Sequence, residues 1–348
     1  MPEENKKLNN SMLATGANVR FTMALKYGCS FRYSFRLFSM LLDSCILAPI
    51  SLFEKVLYHK KIEAVEAAPP IFIIGHWRSG TTHLHNLISQ DESFSSFTTY
   101  DALFPEASII LDSYKESLNK FLPKSRQIDN VSLSVNSPQE EEFAIARLSE
   151  ASYYHSFTYP DLDRDLFERF VILEKASPRV LKQLEDIYHF LVKKKYFQEQ
   201  KPVLLKNPVN TGRVDFLLKV FPKAKFIYIQ RDQAKIFQST KNMLTKLRDC
   251  SQLKEISETE LEENIVFNYH ELLKFYEKAK LKLADNQLAE IKYEDLVAKP
   301  LDEIKYIYQK LNLKFSESFE VKLNDYLESI KDYQTNNFPD SDKLSVMN

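Results

Sequence analysis

Three short stretches place a cation where an anion could be held. The first is "IFIIGHWRSGTTHLHNLI", residues 71–88: an apolar run, a glycine-bounded turn and a helical pattern. Gly75 and Gly80 have the spacing of a nucleoside triphosphate loop, G-x-x-x-x-G-K-[ST]. Thr81, however, stands where the lysine belongs, and the positive charge sits inside the loop as Arg78. Backbone N–H groups at a helix start hold an anion without that lysine, and a guanidinium adds two parallel hydrogen bonds. Lacking a lysine for a γ-phosphate and a clear acidic strand for magnesium, the loop is poorly made for ATP. It suits a smaller, doubly charged group held without metal. The second stretch, "KPVLLKNP" (201–208), carries Lys206 at the end of an apolar run. The third, "AKFIYIQRD" (224–232), ends at Arg231, with Ser239 eight positions on. At that spacing, two helical turns apart, Arg231 and Ser239 can converge on one phosphate.

Candidates for moving a proton lie elsewhere. In "SPQEEEFAIARLSEAS" (137–152), Glu140 and Glu141 share a helix side with Ala144, Ile145 and Leu148. A glutamate turned inward beside apolar residues has a raised pKa, as a general base requires. Acids in a first helical turn also merely favour the helix N-terminus, and both readings stay open. His76, inside the loop, is a rival base. His83 and His85 fit packing or hydrogen bonding within the first helix, and Trp77 fits a packing anchor.

These residues need elements to hold them. "IFII" (71–74), between two prolines and Gly75, suits a buried parallel strand, and "TTHLHNLISQ" continues as a helix. Ser137 as N-cap and Pro138 at the first helical position start a helix over 137–152. Residues 167–200 are helical with a break before Pro178. The runs ending at Lys206 and Arg231 and "LAEIKY" (288–293) are three further strands. Between and after them come "NTGRVDFLLKVFP", "QAKIFQSTKNMLTKL", residues 259–284 and "KPLDEIKYIYQKLNL" as helices. Alternation of this kind predicts an α/β fold: a P-loop-like open parallel β-sheet flanked by helices, with additional N-terminal and mid-chain helices. The candidate cations all fall at strand carboxyl ends, where such sheets bind ligands.

Taken together, the stretches resemble one family. "HWRSGTTH" is similar to the 5′-phosphosulfate loop of sulfotransferases that use 3′-phosphoadenosine 5′-phosphosulfate (PAPS), and "FIYIQRDQAKIFQS" to their second signature. "LLKNPVNTGRVDFLLKVFPKAKFIYI" and "YEDLVAKP" (293–300) match further segments. The resemblance runs from about 69 to 312 and is nearest the broad, mostly bacterial group related to tyrosylprotein and carbohydrate enzymes. It implies one domain over 1–348, with a helical lead-in to 68 and an extension over 313–348. It further implies that Arg78, Ser79, Gly80, Thr81 and Thr82 hold the 5′-phosphosulfate and that Arg231 and Ser239 hold the 3′-phosphate. Tyr293 joins that nucleotide set, beside the plainer reading that it and Asp295 fix the last strand's turn. Lys206 is implied to touch the bridging or sulfonate oxygens. The reaction implied is metal-independent in-line transfer from PAPS to a hydroxyl acceptor, leaving adenosine 3′,5′-bisphosphate (PAP). Three departures stand out: the terminal R-K-G nucleotide loop is absent, "SFSSFTTYDALF" lacks the glutamate base of related enzymes, and Asn210 stands where the bacterial group often has histidine. The alternatives are an atypical P-loop nucleotide kinase or NTPase, and a non-catalytic PAP-binding relative.

Composition bounds the rest. Hydrophobic residues make up 44% and charged residues 27% of 348, which is globular. Net charge is −1, so no global basic field argues for nucleic acid. Cys29, Cys45 and Cys250 lack metal-ligand spacing and fit a reducing, cytoplasmic setting. "MPEENKKLNNSMLATG" lacks the apolar core of a secretion signal. Residues 34–53 are apolar but interrupted by Arg36, Asp43 and Pro49; they form a helix packed on the body or one lying on a membrane surface. Phe- and Tyr-rich residues 94–121 and 143–170 are expected to cap the cleft, leaning towards a lipophilic alcohol, phenol or sterol-like acceptor.

Overall fold

A computed structural model of the protein describes residues 17–123, 125 and 133–331. The polar N-terminus up to residue 16 and the loose tail expected over 332–348 lie outside the described residues. Among those described, five strands form one parallel sheet in the order β2-β3-β1-β4-β5. They are β1 (Ile71–Ile74), β2 (Ser95–Ser96), β3 (Val203–Lys206), β4 (Lys225–Gln230) and β5 (Leu288–Lys292). Parallel neighbours need long crossovers, and helices supply them on both faces.

The side-chain period of two sorts the strands between two cores. Phe72 and Ile74 of β1, Val203 and Leu205 of β3, and Phe226 and Tyr228 of β4 point into the larger one. Ile71, Ile73, Leu204, Ile227 and Ile229 point into the other, which helices Pro300–Lys310 and Glu317–Ser329 cover with Ile304, Ile307, Phe319 and Leu323. Because β3 and β4 flank β1, the order reverses beside β1 and a crevice opens beyond the strand carboxyl ends. Residues 75–80, Lys206, Arg231 and Tyr293 follow those ends directly.

Two expectations fail locally. The edge strand β2 was not anticipated: Ser95–Ser96 has neither length nor an apolar pattern, and pairing with Val203 and Leu204 alone defines it. Nor does Ser137 cap a helix. Its hydroxyl accepts from Ser134 N–H (2.8 Å), Pro138 bridges Thr98, and Gln139 N–H donates to the Phe97 carbonyl (2.8 Å). The helix starts only at Glu142 and ends at Leu148. Pairing with 97–99 thus consumes the apparent helix start and delivers the three glutamates together at the true one.

Helix Ala17–Tyr27 and the 30-residue helix Ser34–Glu63 form the N-terminal layer, and Pro49 sits inside the longer helix without ending it. One face of that helix is pinned to the body. Arg36 donates to the carbonyls of Gln252 (2.8 Å) and Asp249 (3.0 Å). Glu54, buried, accepts from the N–H groups of Ile109 and Ile110 and pairs with the buried Lys194. No helix among the described residues is long and apolar enough to cross a membrane.

Candidate active site

The loop after β1 is shaped by two glycines and a strained arginine. At Gly75 (φ 151°) a Cβ would lie 2.5 Å from the Ile229 carbonyl oxygen, and at Gly80 (φ 98°) 2.2 Å from the Tyr293 ring. Side chains are excluded at both. Arg78 is also left-handed (φ 69°), a conformation costing a non-glycine residue about 1–2 kcal/mol. Thr211 clamps the loop entrance, exchanging hydrogen bonds with the N–H (2.8 Å) and carbonyl (3.0 Å) of Gly75. Helix Thr81–Ile88 then starts with its first N–H groups directed at the loop's hollow.

The second signature closes on the loop itself. Arg78 Nε donates to Ser239 Oγ (2.8 Å), and Arg231 Nη1 donates to the Arg78 carbonyl (3.1 Å). The Arg231 guanidinium lies 4.3 Å over the Tyr293 ring, whose Cδ2–Cε2 edge abuts Gly80. Asp232 caps helix Gln233–Ser251, accepting from Lys235 N–H (3.1 Å). The residues expected to hold nucleotide phosphates are therefore in mutual contact. Ser79 Oγ, Arg231 Nε and Thr240 Oγ1 are buried and find no hydrogen-bond partner among the described residues. Buried donors left this way fit a bound anion, as PAPS would supply.

The three glutamates do not simply flank a helix terminus. All three reach the 206–213 segment, Glu140 at Lys206, Glu141 at Asn210 and Glu142 at both Asn207 and Arg213. Glu140 Oε1 accepts from Lys206 Nζ at 2.5 Å, while Tyr154 OH donates to its other oxygen. Glu141, with no exposed surface, accepts from Asn210 Nδ2 (2.6 Å), and its Oε2 finds no partner on another residue. Burial, with the neighbouring Glu142 and Glu140 charges, pushes the Glu141 carboxyl up to about 7. Glu142 forms a fully buried pair with Arg213 (2.7 and 3.1 Å) and accepts from Asn207, Ser152 and Tyr153 N–H. Arg213 holds Tyr188, whose hydroxyl donates to Asn210 (2.5 Å), so Glu142 and Glu141 belong to one network.

Lys206 joins the two halves. Its ammonium, 1% exposed, touches Glu140 and also Thr82 Oγ1 (3.3 Å) in the first turn of the loop's helix. His76 faces away from that junction. Its Nδ1–H donates to the Trp77 carbonyl (2.7 Å), and burial pushes its pKa down to about 4. His85 is completely buried with neither ring nitrogen hydrogen-bonded among the described residues, and burial and the Lys206 charge push its pKa well down. Of the two expectations for His85, packing and hydrogen bonding within the helix, packing is the one met.

Beside the loop lies a small hollow of about 10 Å³, walled by the apolar Trp77, Tyr153, Phe157, Met243, Leu244 and Ile265 together with His76, Thr240 and Asn268. A second, sharing Phe157 and Leu244, extends towards Pro160 and Ile256. Residues 143–170 thus contribute walls. Residues 94–121 contribute none: Phe97 packs in the larger core and Phe94 against Tyr308 beneath the opposite sheet face. Sequence reading missed Arg213, Asn207, Tyr154 and Tyr188 as members of the site. Arg213, in "NTGRVDF" and seven residues beyond Lys206, was the available signal.

Comparison with known proteins adds an independent line. The family model described as "Sulfotransferase family" matches residues 69–317. The omega-hydroxy-beta-dihydromenaquinone-9 sulfotransferase of Mycobacterium bovis is 32% identical over 302 residues, covering 86% of this chain and 76% of that protein. Solved sulfotransferases from Mycobacterium avium and Mycobacterium tuberculosis superpose with TM-scores of 0.65 and 0.62. The overlap covers 91% and 92% of this chain and 88% and 87% of theirs, at 16% and 15% identity. At that identity the likeness speaks to the fold.

Proposed function

This chain belongs to the sulfotransferase family, and on that footing we propose that PAPS is its donor and a lipophilic hydroxyl compound its acceptor. Bound at the loop, the donor supplies an activated sulfonate: its bridging S–O bond breaks, a bond from sulfur to the acceptor oxygen forms, and the acceptor proton passes to a base. The protein's own part is to hold charge and geometry. In this reading the N–H groups from Ser79 to Thr82 and the Arg78 guanidinium bind the 5′ end, while Arg231, Ser239 and the buried Thr240 hydroxyl serve the 3′-phosphate. Tyr293 braces Arg231 and Gly80.

The observation that carries the reading is Lys206, which touches the start of the anion-holding helix through Thr82 and a carboxylate through Glu140. A cation so placed neutralises charge developing on a leaving oxygen and keeps Glu140 beside the transfer point. Glu140, 14% exposed, is the base we assign, since a base must reach the acceptor hydroxyl. Glu141 is walled off and faces Asn210, so it serves to seat that segment. His76 holds the loop against the cavity wall.

Two facts support a lipophilic acceptor: the apolar walls beside Trp77, and the relative's action on an omega-hydroxylated dihydromenaquinone. Long-chain, isoprenoid and omega-hydroxyquinone alcohols head the panel to be tried. The test is calorimetric titration with PAP in EDTA, with Mg-ATP as control, followed by turnover of labelled PAPS on that panel. Binding of PAP that is lost in Arg231→Ala is expected. Binding of Mg-ATP without PAP would return the loop to the NTPase reading, and turnover confined to carbohydrate would sink the acceptor class.

A further inference from the structure

The outer face of the N-terminal layer is unlike the rest of the surface. Of sixteen exposed large apolar side chains among the described residues, ten fall between residues 21 and 57. Phe35, Phe38, Leu42, Leu52 and Val56 are spaced to share one side of the chain's long helix, at 81%, 64%, 53%, 64% and 75% exposure, and Phe31, 94% exposed, precedes it in the 3-10 turn Phe31–Tyr33. By helical angle this side is opposite Arg36 and Glu54, which pin the helix to the body. Over about 33 Å from Ser34 to Val56, the outward positions of known exposure carry no charge. A helix packed on a folded body normally turns charged residues to water there, and an apolar patch of this extent marks a contact surface.

We propose that this face lies on a lipid bilayer, in the plane of an anionic membrane surface. Three features select lipid as the occupant. First, residues 17–42 contain no acidic residue in a chain of net charge −1; of their four cations Arg20 is buried and Arg36 is held on the body side, which leaves Lys26 and Arg32 at the surface. Lys26 and Arg32 each have one partly exposed acidic partner, Glu150 at 3.8 Å and Glu255 at 3.2 Å, and Lys55, Lys60 and Lys61 add charge further along. Basic flanks around an aromatic face are the composition of interfacial helices. Second, four exposed phenylalanines between 21 and 38 give a broad aromatic face, suited to the headgroup boundary more than to interlocking with a matching helix. Third, the underside of the same layer is fastened to the body beside the cavity walls. Val19, Met23 and Tyr33 pack with Tyr159 and Leu253, with Leu37 and Leu162 against them, and Phe157 and Pro160 of that region line the cavities. The layer that meets lipid is thus packed on Tyr159 and Leu253, close in the chain to Phe157 and Pro160, on the side where, on the proposed acceptor class, a molecule dissolved in lipid would arrive.

The experiment is sedimentation of the full chain with vesicles, without donor or acceptor, so that its outcome does not depend on the acceptor assignment. Vesicles with about a third phosphatidylglycerol should carry the protein down, and phosphatidylcholine alone should carry less. The triple variant Phe31→Ser, Phe35→Ser, Phe38→Ser should lose partitioning by roughly tenfold or more. PAP affinity and the melting transition should be unchanged, because these side chains are exposed. Wild-type protein left in the supernatant with anionic vesicles overturns the proposal. So does light scattering that finds a dimer which the triple variant dissociates, since the face would then belong to a second copy. If vesicle binding holds while no lipophilic alcohol is sulfonated, the acceptor reading fails and this one stands.

Discussion

The two sides of the active site differ in how their polar groups are satisfied. Both oxygens of Glu142 have partners, namely Arg213, Asn207, Ser152 and the Tyr153 N–H, while Oε2 of the neighbouring Glu141 is left over. Around the loop, Ser79, Arg231 and Thr240 bury polar atoms with none. An unpartnered buried group costs about 1–3 kcal/mol, and such a cost is tolerated where a ligand removes it. One side is scaffolding nearly closed on itself and the other is a receptacle, with Lys206 between them.

The contrast can be broken at the junction first. Glu140→Gln should lower kcat by roughly 10²- to 10⁴-fold while PAP affinity stays within about threefold, measured by turnover and calorimetry. An equal loss of both would place Glu140 with the scaffold. On the scaffold side, Arg213→Met strands a buried carboxylate and should cost about 3–5 kcal/mol in urea unfolding, with Glu142→Gln in the same chain recovering part of it.

Glu141 gives a smaller, pH-dependent effect. Its folded pKa of about 7 lies above the ordinary glutamate value of 4.5, so between those values the native state binds more protons than the unfolded one. Stability therefore falls as pH rises through that window, by at most on the order of 3 kcal/mol. Glu141→Gln should flatten that slope in denaturation between pH 5 and about 7.5; an unchanged slope would mean another group carries it. The smallest effect is expected at His76, where a base is ruled out if His76→Gln changes kcat by less than about twofold.

The same division decides what the sequence could tell. Gly75, Arg78, Gly80, Arg231 and Ser239 are legible because a loop's chemistry is written in adjacent residues and their spacing. The parallel sheet is legible because β1, β3 and β4 are apolar runs stopped by breakers. The glutamates were visible but their partners were not: Glu140 and Lys206 stand 66 positions apart, Glu142 and Arg213 71. Ser137-Pro138 carries true helix-start chemistry, yet pairing of this segment with Phe97–Thr99 overrides it. β2 exists only through its neighbour, so nothing in its own two serines announces it.

Tyr293, wedged between Gly80 and Arg231, has a bearing on folding order. It follows the last strand, so the loop after the first cannot gain its brace until β5 has paired with β4. Sequence separation of that size makes closure slow relative to local structure. A chain emerging from the ribosome would carry Arg78, Lys206 and Arg231 well before it carries the ring that braces Arg231. The loop's final shape is therefore a late event, and a fragment ending before Tyr293 would display the whole signature without the geometry.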